Sequence, residues 1–424
     1  MWWAPTLHSN MTPLEFFRLQ TREEILALYS RFAPVGLEEV DLARAGGRVL
    51  ADTISAPEDV PAFPRASMDG YAVRAVDTFG AGPGLPQYLQ ITGEVAMGAV
   101  PGRGVGPGEA LRLSTGGMLP PGADAVVMIE YTGEMPDGTL EVRRAVAPGE
   151  NVLQPGEDVR RGETLLGPGV CLRPQDIGLL AALGVTRLTV HRLVQAAIFS
   201  SGDEIIPIKS TPAPGQVRDS NAYLTRAQVA EWGAVPIYKG IIPDDFAALK
   251  NALTNTMNRA DLLLISGGSS VGARDLSLKA IESLPDAAIL AHGVALRPGK
   301  PTILAALGDK PLLGLPGHPA SAAIVMEVLG RPLLARLAGL ADYAANPNPT
   351  VSAELSRNLA GATGREDYVR VRLRREGDRL WADPILGPSA LLSPLVKSDG
   401  LVTIPLGTEG LFKGDKVTVQ LFGR

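Results

Sequence analysis

Cysteine is almost missing from this chain: Cys171 is the single one among 424 residues. One thiol closes no internal disulfide, which excludes a cystine-stapled scaffold and fits a reducing compartment. Histidine numbers four, and nowhere do Cys and His fall at the spacing of a zinc site. No uninterrupted apolar stretch reaches the roughly 18 residues of a membrane-spanning helix. The opening "MWWAPTLHSNMTP" lacks the basic segment and apolar run of a signal peptide, so it reads as a loose tail on a cytoplasmic protein. Positive charge is also short, with 40 Lys and Arg against 45 Asp and Glu and a net charge of −5. No basic field is available for nucleic acid or an anionic membrane, and small molecules or proteins are the expected partners.

Glycine and proline are plentiful, at 48 and 35, and they punctuate a chain long enough for two to four domains. "TREEILALYSRFAP" sets Thr21 and Glu24 at capping-box spacing, lines up Ile25, Leu26, Leu28 and Phe32, and stops before Pro34, which predicts a helix. From 59 to 150, short runs such as "YLQITGEV", "GEALRLS" and "ADAVVMIE" predict an inserted β module. "RPQDIGLLAALG" returns to helix, so segments 14–58 and 151–192 are expected to form one discontinuous, mixed helical domain around that insertion. From 193 to 340, strand and helix alternate and end in a long helix from Pro319 to about Leu337, which predicts a doubly wound, mostly parallel sheet. Beyond the linker "ADYAANPNPT", residues 347–424 alternate in strand fashion and predict a small β-barrel. The fold class is therefore multidomain α/β.

Ligands of an open α/β sheet lie beyond the carboxyl ends of its strands. Four strand ends here share a vocabulary of glycine, hydroxyl and acid: "SSGDE", "GIIPDD", "SGGSSVGARD" and "GLPGHPAS". Their small residues let bare backbone N–H groups approach an anion, and phosphate is the natural guest. The candidate contacts are Ser201, Gly202 and Asp203 at the first end, then Gly267, Gly268, Ser269, Ser270 and Gly272 at the third. The fourth end supplies Pro316, Gly317, Pro319 and Ser321, and Arg297 and Lys300 of "ALRPGKPTIL" add positive charge for an oxyanion. Glu204, Asp244 and Asp275 would repel phosphate unless a hard divalent cation, magnesium, bridges them to it. Asp245 and Asp219 each precede a helical run; Asp245 reads equally as a cap or a site acid, and Asp219 reads first as a cap.

These motifs, in this order and spacing, resemble the MoeA family of molybdopterin molybdenumtransferases, which includes the E domain of gephyrin. "PAFPRASMDGYAV", "GEALRLSTGGMLPPGADAVVMIE" and "PGENVLQPGEDVRRGETLL" resemble that family's N-terminal signatures, and the likeness runs from about residue 13 to the end. The resemblance implies insertion of molybdate into adenylated molybdopterin, with magnesium-dependent release of AMP. It also implies a homodimer in which the β module of one subunit faces the sheet of the other, and contact with the adenylyltransferase and with acceptor molybdoenzymes. Matched residue by residue, it gives functional weight to Asp69, Thr115, Asp158, Glu204, Asp244, Asp275, Lys300, Pro316 and Pro319. Ser269 stands where the family usually has valine, and His318 where it has asparagine. Two other readings stay open: the adenylyltransferase, which resembles the sheet domain alone, and a gephyrin-like scaffold that binds a partner protein.

Overall fold

A computed structural model of the chain describes residues 19–267, 271–344 and 348–423, with the backbone alone at 271–275. Two compact units form, one from Asp52–Gly167 with Gln175–Thr186, the other from the remainder. In the smaller unit six strands pair in the order Ala125–Met128, Gly70–Val73, Glu109–Leu113, Gln87–Val95, Thr139–Val142, Thr132–Glu134. Val73, Leu89, Val127 and Leu140 close one core on this sheet.

The larger unit opens on helix Arg22–Leu28, where the capping box is present in full: Thr21 Oγ1 accepts from Glu24 N and Glu24 Oε2 from Thr21 N. Ile25, Tyr29 and Phe32, the apolar stripe of that segment, are buried.

Its centre is a six-stranded sheet. The strands are β1 (Gln195–Ser201), β2 (Val235–Ile242), β3 (Leu262–Gly267), β4 (Ala287–His292), β5 (Ile303–Leu307) and β6 (Lys310–Leu315), in the spatial order β2-β1-β3-β6-β5-β4. The first four of that order run parallel, while β5 is antiparallel to both of its neighbours. Successive residues of β1 and β3 go to opposite cores. Ala196, Ile198, Leu262 and Leu264 pack with α1 (Asn221–Glu231), whereas Ala197, Phe199, Leu263 and Ile265 pack with α2 (Phe246–Met257) and α3 (Val271–Glu282). Burial on both faces explains why these strands are continuously apolar rather than alternating, and each fully buried Leu or Ile contributes about 1.5–3 kcal/mol.

Two helical expectations are refined. α3 starts at Val271, inside the "SGGSSVGARD" stretch read as a strand exit, so Gly272 and Asp275 belong to helix backbone; glycine's poor helix propensity made the segment read as loop. The long helix after β6 is α4 (Pro319–Val325) and α5 (Arg331–Leu337) joined by a π turn, Met326–Gly330. Pro332 has no N–H to offer one turn back, and the Arg331 N–H reaches Met326 O instead, which widens the turn.

The chain ends in a barrel of β7 (Thr350–Leu355), β8 (Glu366–Glu376), β9 (Arg379–Pro384), β10 (Gly400–Ile404) and β11 (Lys416–Leu421). The order β8-β9-β7-β11-β10 closes through pairing of β8 with β10. Leu355, Val371, Ala382, Val402 and Val419 fill its interior.

Candidate functional site

Strand register decides where the four loops go. Ser201 sits opposite both Ile242 and Gly267, and Ser266 opposite Leu315, so β2, β1, β3 and β6 end level on one edge. On the far side His292 pairs with Ile303, and Ile303 with Gly314, which brings the 293–302 loop, with Arg297 and Lys300, to the same edge. Sequence reasoning placed these loops on strand ends; the pairing makes the ends neighbours.

At this edge the acids are tied to backbone and hydroxyls. Ser201 Oγ donates to Asp244 Oδ1 (2.7 Å), and Asp244 N donates to Asp203 Oδ1 (3.1 Å). Asp203 and Glu204 are exposed and Asp244 is half-buried. Gly267 has φ +140, and a Cβ there would lie 2.0 Å from the Ser201 carbonyl oxygen, so a side chain cannot be accommodated where β3 leaves the sheet. Gly268, Ser269 and Ser270 lie outside the described residues, as do the side chains of Gly272 and Asp275's helical turn, 271–275.

Beneath the edge is a polar centre whose strength the sequence concealed. Asp219, only 2% exposed, accepts from Ser200 Oγ (2.8 Å), Tyr238 Oη (2.8 Å) and Ala222 N (3.1 Å). It thus caps the first turn of α1 and also accepts from one buried hydroxyl, that of Ser200, and one half-buried one, that of Tyr238; partial burial and this carboxylate push the Tyr238 phenol up. Asp245, whose role the sequence leaves open, caps α2 by accepting from Ala248 N (2.8 Å).

The basic side of the edge divides its labour. Arg297 is engaged by the buried Asp367 of β8 at 3.3 Å, while Lys300 is exposed. Pro316, Ala320 and Ser321 are buried at the entry to α4, where Pro319 takes a first-turn position. Asn221 Nδ2 donates to Gly317 O (2.9 Å), His318 Nδ1 meets Ser389 Oγ at 2.9 Å, and Ala320 N donates to Ser389 O. His318 therefore ties the α4 entry to the loop after β9. Arg370, missed from sequence, is 7% exposed; its Nη2 donates to Gly387 O in that same loop and its Nη1 is buried with no hydrogen-bond partner. Desolvation holds its guanidinium below the usual arginine range. The available signal was strand period: Arg370 shares a face with the buried Tyr368 two positions earlier.

The smaller unit carries the remaining expected residues. Asp69 Oδ1 accepts from Thr115 N (2.7 Å) and Thr115 Oγ1 (2.9 Å), and the backbone bond first, the hydroxyl second, hold this exposed carboxyl below the usual aspartate range. Asp158 is exposed and its N donates to Val60 O (3.0 Å).

Asp203, Glu204 and Asp244 offer hard carboxylate oxygens, the donor type magnesium takes. Among the described residues no three His, Cys, Asp or Glu side chains converge on one metal position; the expected third ligand, Asp275, has its side chain outside that set.

Fold and edge together define an α/β domain whose glycine- and acid-bearing loops share one edge of a mostly parallel sheet. Family models match in the same arrangement: the MoeA N-terminal region (domain I and II) at residues 20–184, a probable molybdopterin binding domain at 197–336, and the MoeA C-terminal region (domain IV) at 352–422. The chain is 34% identical to the molybdopterin molybdenumtransferase of Bacillus subtilis, covering 88% of this chain and 87% of that one. It is 31% identical to the Haemophilus influenzae molybdopterin molybdenumtransferase, over 92% and 95% respectively. The crystal structure of a molybdopterin biosynthesis MoeA protein from Pyrococcus horikoshii superposes with a TM-score of 0.82 at 31% identity, covering 95% of this chain and all of that one. The chain belongs to the MoeA family.

Proposed function

We infer that this chain is a transferase of molybdenum cofactor biosynthesis, which takes adenylated molybdopterin and molybdate and inserts the metal as AMP leaves. The level row Ile242, Ser201, Gly267, with Leu315 beside it, carries this reading, because it gathers every acid- and glycine-bearing strand exit at one edge. Phosphate oxygens are held by main-chain N–H groups at the Gly-rich exits and by the α4 entry. Molybdate, a dianion and here a substrate, is drawn to Lys300 and to the unpartnered Nη1 of Arg370. Glu204, Asp244 and Asp275 are the residues that would hold magnesium, which when bound neutralises charge on the phosphoanhydride. Ser201 and Asp203 fix Asp244 through its carboxylate and its backbone N–H, so its oxygens are oriented before substrate arrives.

Asp69, Thr115 and Asp158 belong to the smaller unit, and the homodimer is the arrangement in which the β unit of one copy faces the sheet edge of another. The protein works in the cytoplasm and meets the adenylyltransferase and acceptor molybdoenzymes there.

Purified protein given adenylated molybdopterin, molybdate and magnesium should activate an apo-molybdoenzyme, and Asp244→Asn should lower that rate at least about a hundredfold. Product from molybdopterin and ATP instead would assign the adenylyltransferase reaction. Equal activation by Asp244→Asn and wild type would overturn the site.

A further inference from the structure

Where β1 and β2 begin, at the end of the sheet opposite the substrate edge, is a cavity of about 400 Å³, within the size range of small-molecule sites. Every residue that lines it belongs to the larger unit. Val194 precedes β1, Gly233 precedes β2, and Val235 N joins the two starts by donating to Val194 O (2.8 Å). The seven residues of β1 set the cavity about 20 Å from Ser201 at the usual strand rise. It is no part of the substrate edge.

Its wall has two halves. One is apolar and consists of Leu193, Val194, Leu334 and Ala335 with the half-buried indole of Trp232. The other is cationic: Arg48, Arg192 and Arg331 stand against a single lining carboxylate, the exposed Glu231. Each guanidinium has a carboxylate partner, Glu38, Asp261 and Glu327 in turn, but none of these partners lines the cavity.

Two features make it a built pocket rather than a crease. First, the polar side chains are held in place. Arg192 grips Asp261 through both terminal nitrogens, at 2.7 and 2.5 Å, Arg331 lies over the Trp232 ring at 5.6 Å, and Arg48 Nη2 donates to His191 O at 2.7 Å. The His191 ring is fixed in turn: its Nδ1 is 3.0 Å from Val35 O, and a Cβ on Gly339, at φ +84, would fall 2.4 Å from its Nε2. Groups that are already ordered lose little freedom when a ligand arrives. Second, Arg48 keeps a donor in reserve. Its side chain is 11% exposed, and its Nε is buried with no hydrogen-bond partner. Such a donor costs about 1–3 kcal/mol until an acceptor reaches it.

The two halves make different demands on an occupant. An inorganic anion would meet the guanidiniums and leave the apolar half bare, whereas a neutral hydrocarbon would leave the Arg48 Nε–H without an acceptor. A molecule with an anionic head and an apolar body satisfies both, because guanidinium forks match carboxylate and phosphate oxygens.

We propose that this cavity binds a small organic anion, a carboxylate or phosphate on an apolar or aromatic body, with its head on Arg48 and its body along Trp232, Leu193 and Leu334. The site is separate from the transferase chemistry and does not depend on the functional reading above.

Calorimetric titration of the full chain with phenyl phosphate, benzoate, inorganic phosphate and phenol tests it. One of the two aryl anions should bind and so identify the head group, while inorganic phosphate and phenol, each lacking half of the match, should bind at least about tenfold more weakly. Arg48→Met, which keeps the stem and removes the guanidinium, should weaken the tighter aryl anion about tenfold, as loss of one charged hydrogen bond does. Ala338→Phe, filling the cavity from the half-buried residue after α5, should weaken it at least as much, and decides the matter if Arg48→Met does not fold. Asp244→Asn, at the far edge, should bind the anion as wild type does. Failure of both aryl anions to bind below about 10 mM overturns the proposal. So does binding undiminished in either cavity variant, binding lost in Asp244→Asn, or equal binding of phenol or inorganic phosphate.

Discussion

The sheet edge of the larger unit and the Asp69 corner of the smaller one both present carboxylates, but they hold them by different means. At the edge, acids are locked into the fold: Asp219 is buried under three donors, and Asp244 is tied to Ser201 and Asp203. At the corner, Asp69 is exposed and rests on Thr115 alone through one backbone and one hydroxyl bond. Edge acids are therefore built into the architecture, whereas the corner acid leans on a single neighbour. Substitutions should separate the two regions by whether stability and activity fall together.

Gly267→Ala should have the largest effect. The new methyl meets a backbone oxygen rather than a movable side chain, so the strand exit must shift. A positive-φ cost and overpacking together come to about 4 kcal/mol. Chemical denaturation should show that loss, and molybdenum transfer should disappear with it. A stable, active Gly267→Ala protein would mean that the edge is not close-packed in solution.

Asp219→Ala comes next. It strands the buried Ser200 hydroxyl, the half-buried Tyr238 hydroxyl and the Ala222 N–H, at about 3 kcal/mol, whereas Asp219→Asn keeps the acceptor oxygen for some of these donors and should cost less. If both variants unfold at the wild-type midpoint, the buried network contributes nothing and the contrast between edge and corner fails.

Much of this was legible beforehand because it is local. Thr21 and Glu24 announce a cap, Pro319 a helix start, and the glycine-rich runs the ends of strands. What could not be read depends on pairing across the chain. Asp219 looks like a simple cap until Ser200 and Tyr238 are brought to it by β1 and β2. Arg370 looks like one of several surface arginines in "VRVRLRR" until barrel closure buries it, and Arg297 looks available until β8 presents Asp367. Gly272 misled for a different reason: its low intrinsic propensity opposed the helix that the segment nevertheless forms.

The smallest effect on stability and the cleanest on chemistry belong to Asp69. Its carboxyl titrates below its unfolded value of 3.8 because Thr115 donates to the ionised form. Ionised Asp69 accordingly favours the fold above the unfolded value, and that contribution is lost only as pH falls through the lower, folded-state value. A carboxyl-carbon NMR titration should place its midpoint below 3.8. Thr115→Val, which removes the hydroxyl and keeps the stronger backbone donor, should raise the midpoint only part of the way back. Asp69→Asn should lower the denaturation midpoint only slightly and lower molybdenum transfer. A midpoint in Thr115→Val that returns fully to the unfolded value would show that the hydroxyl, not the main chain, holds this carboxylate, and the corner would then depend on a side chain just as the edge does.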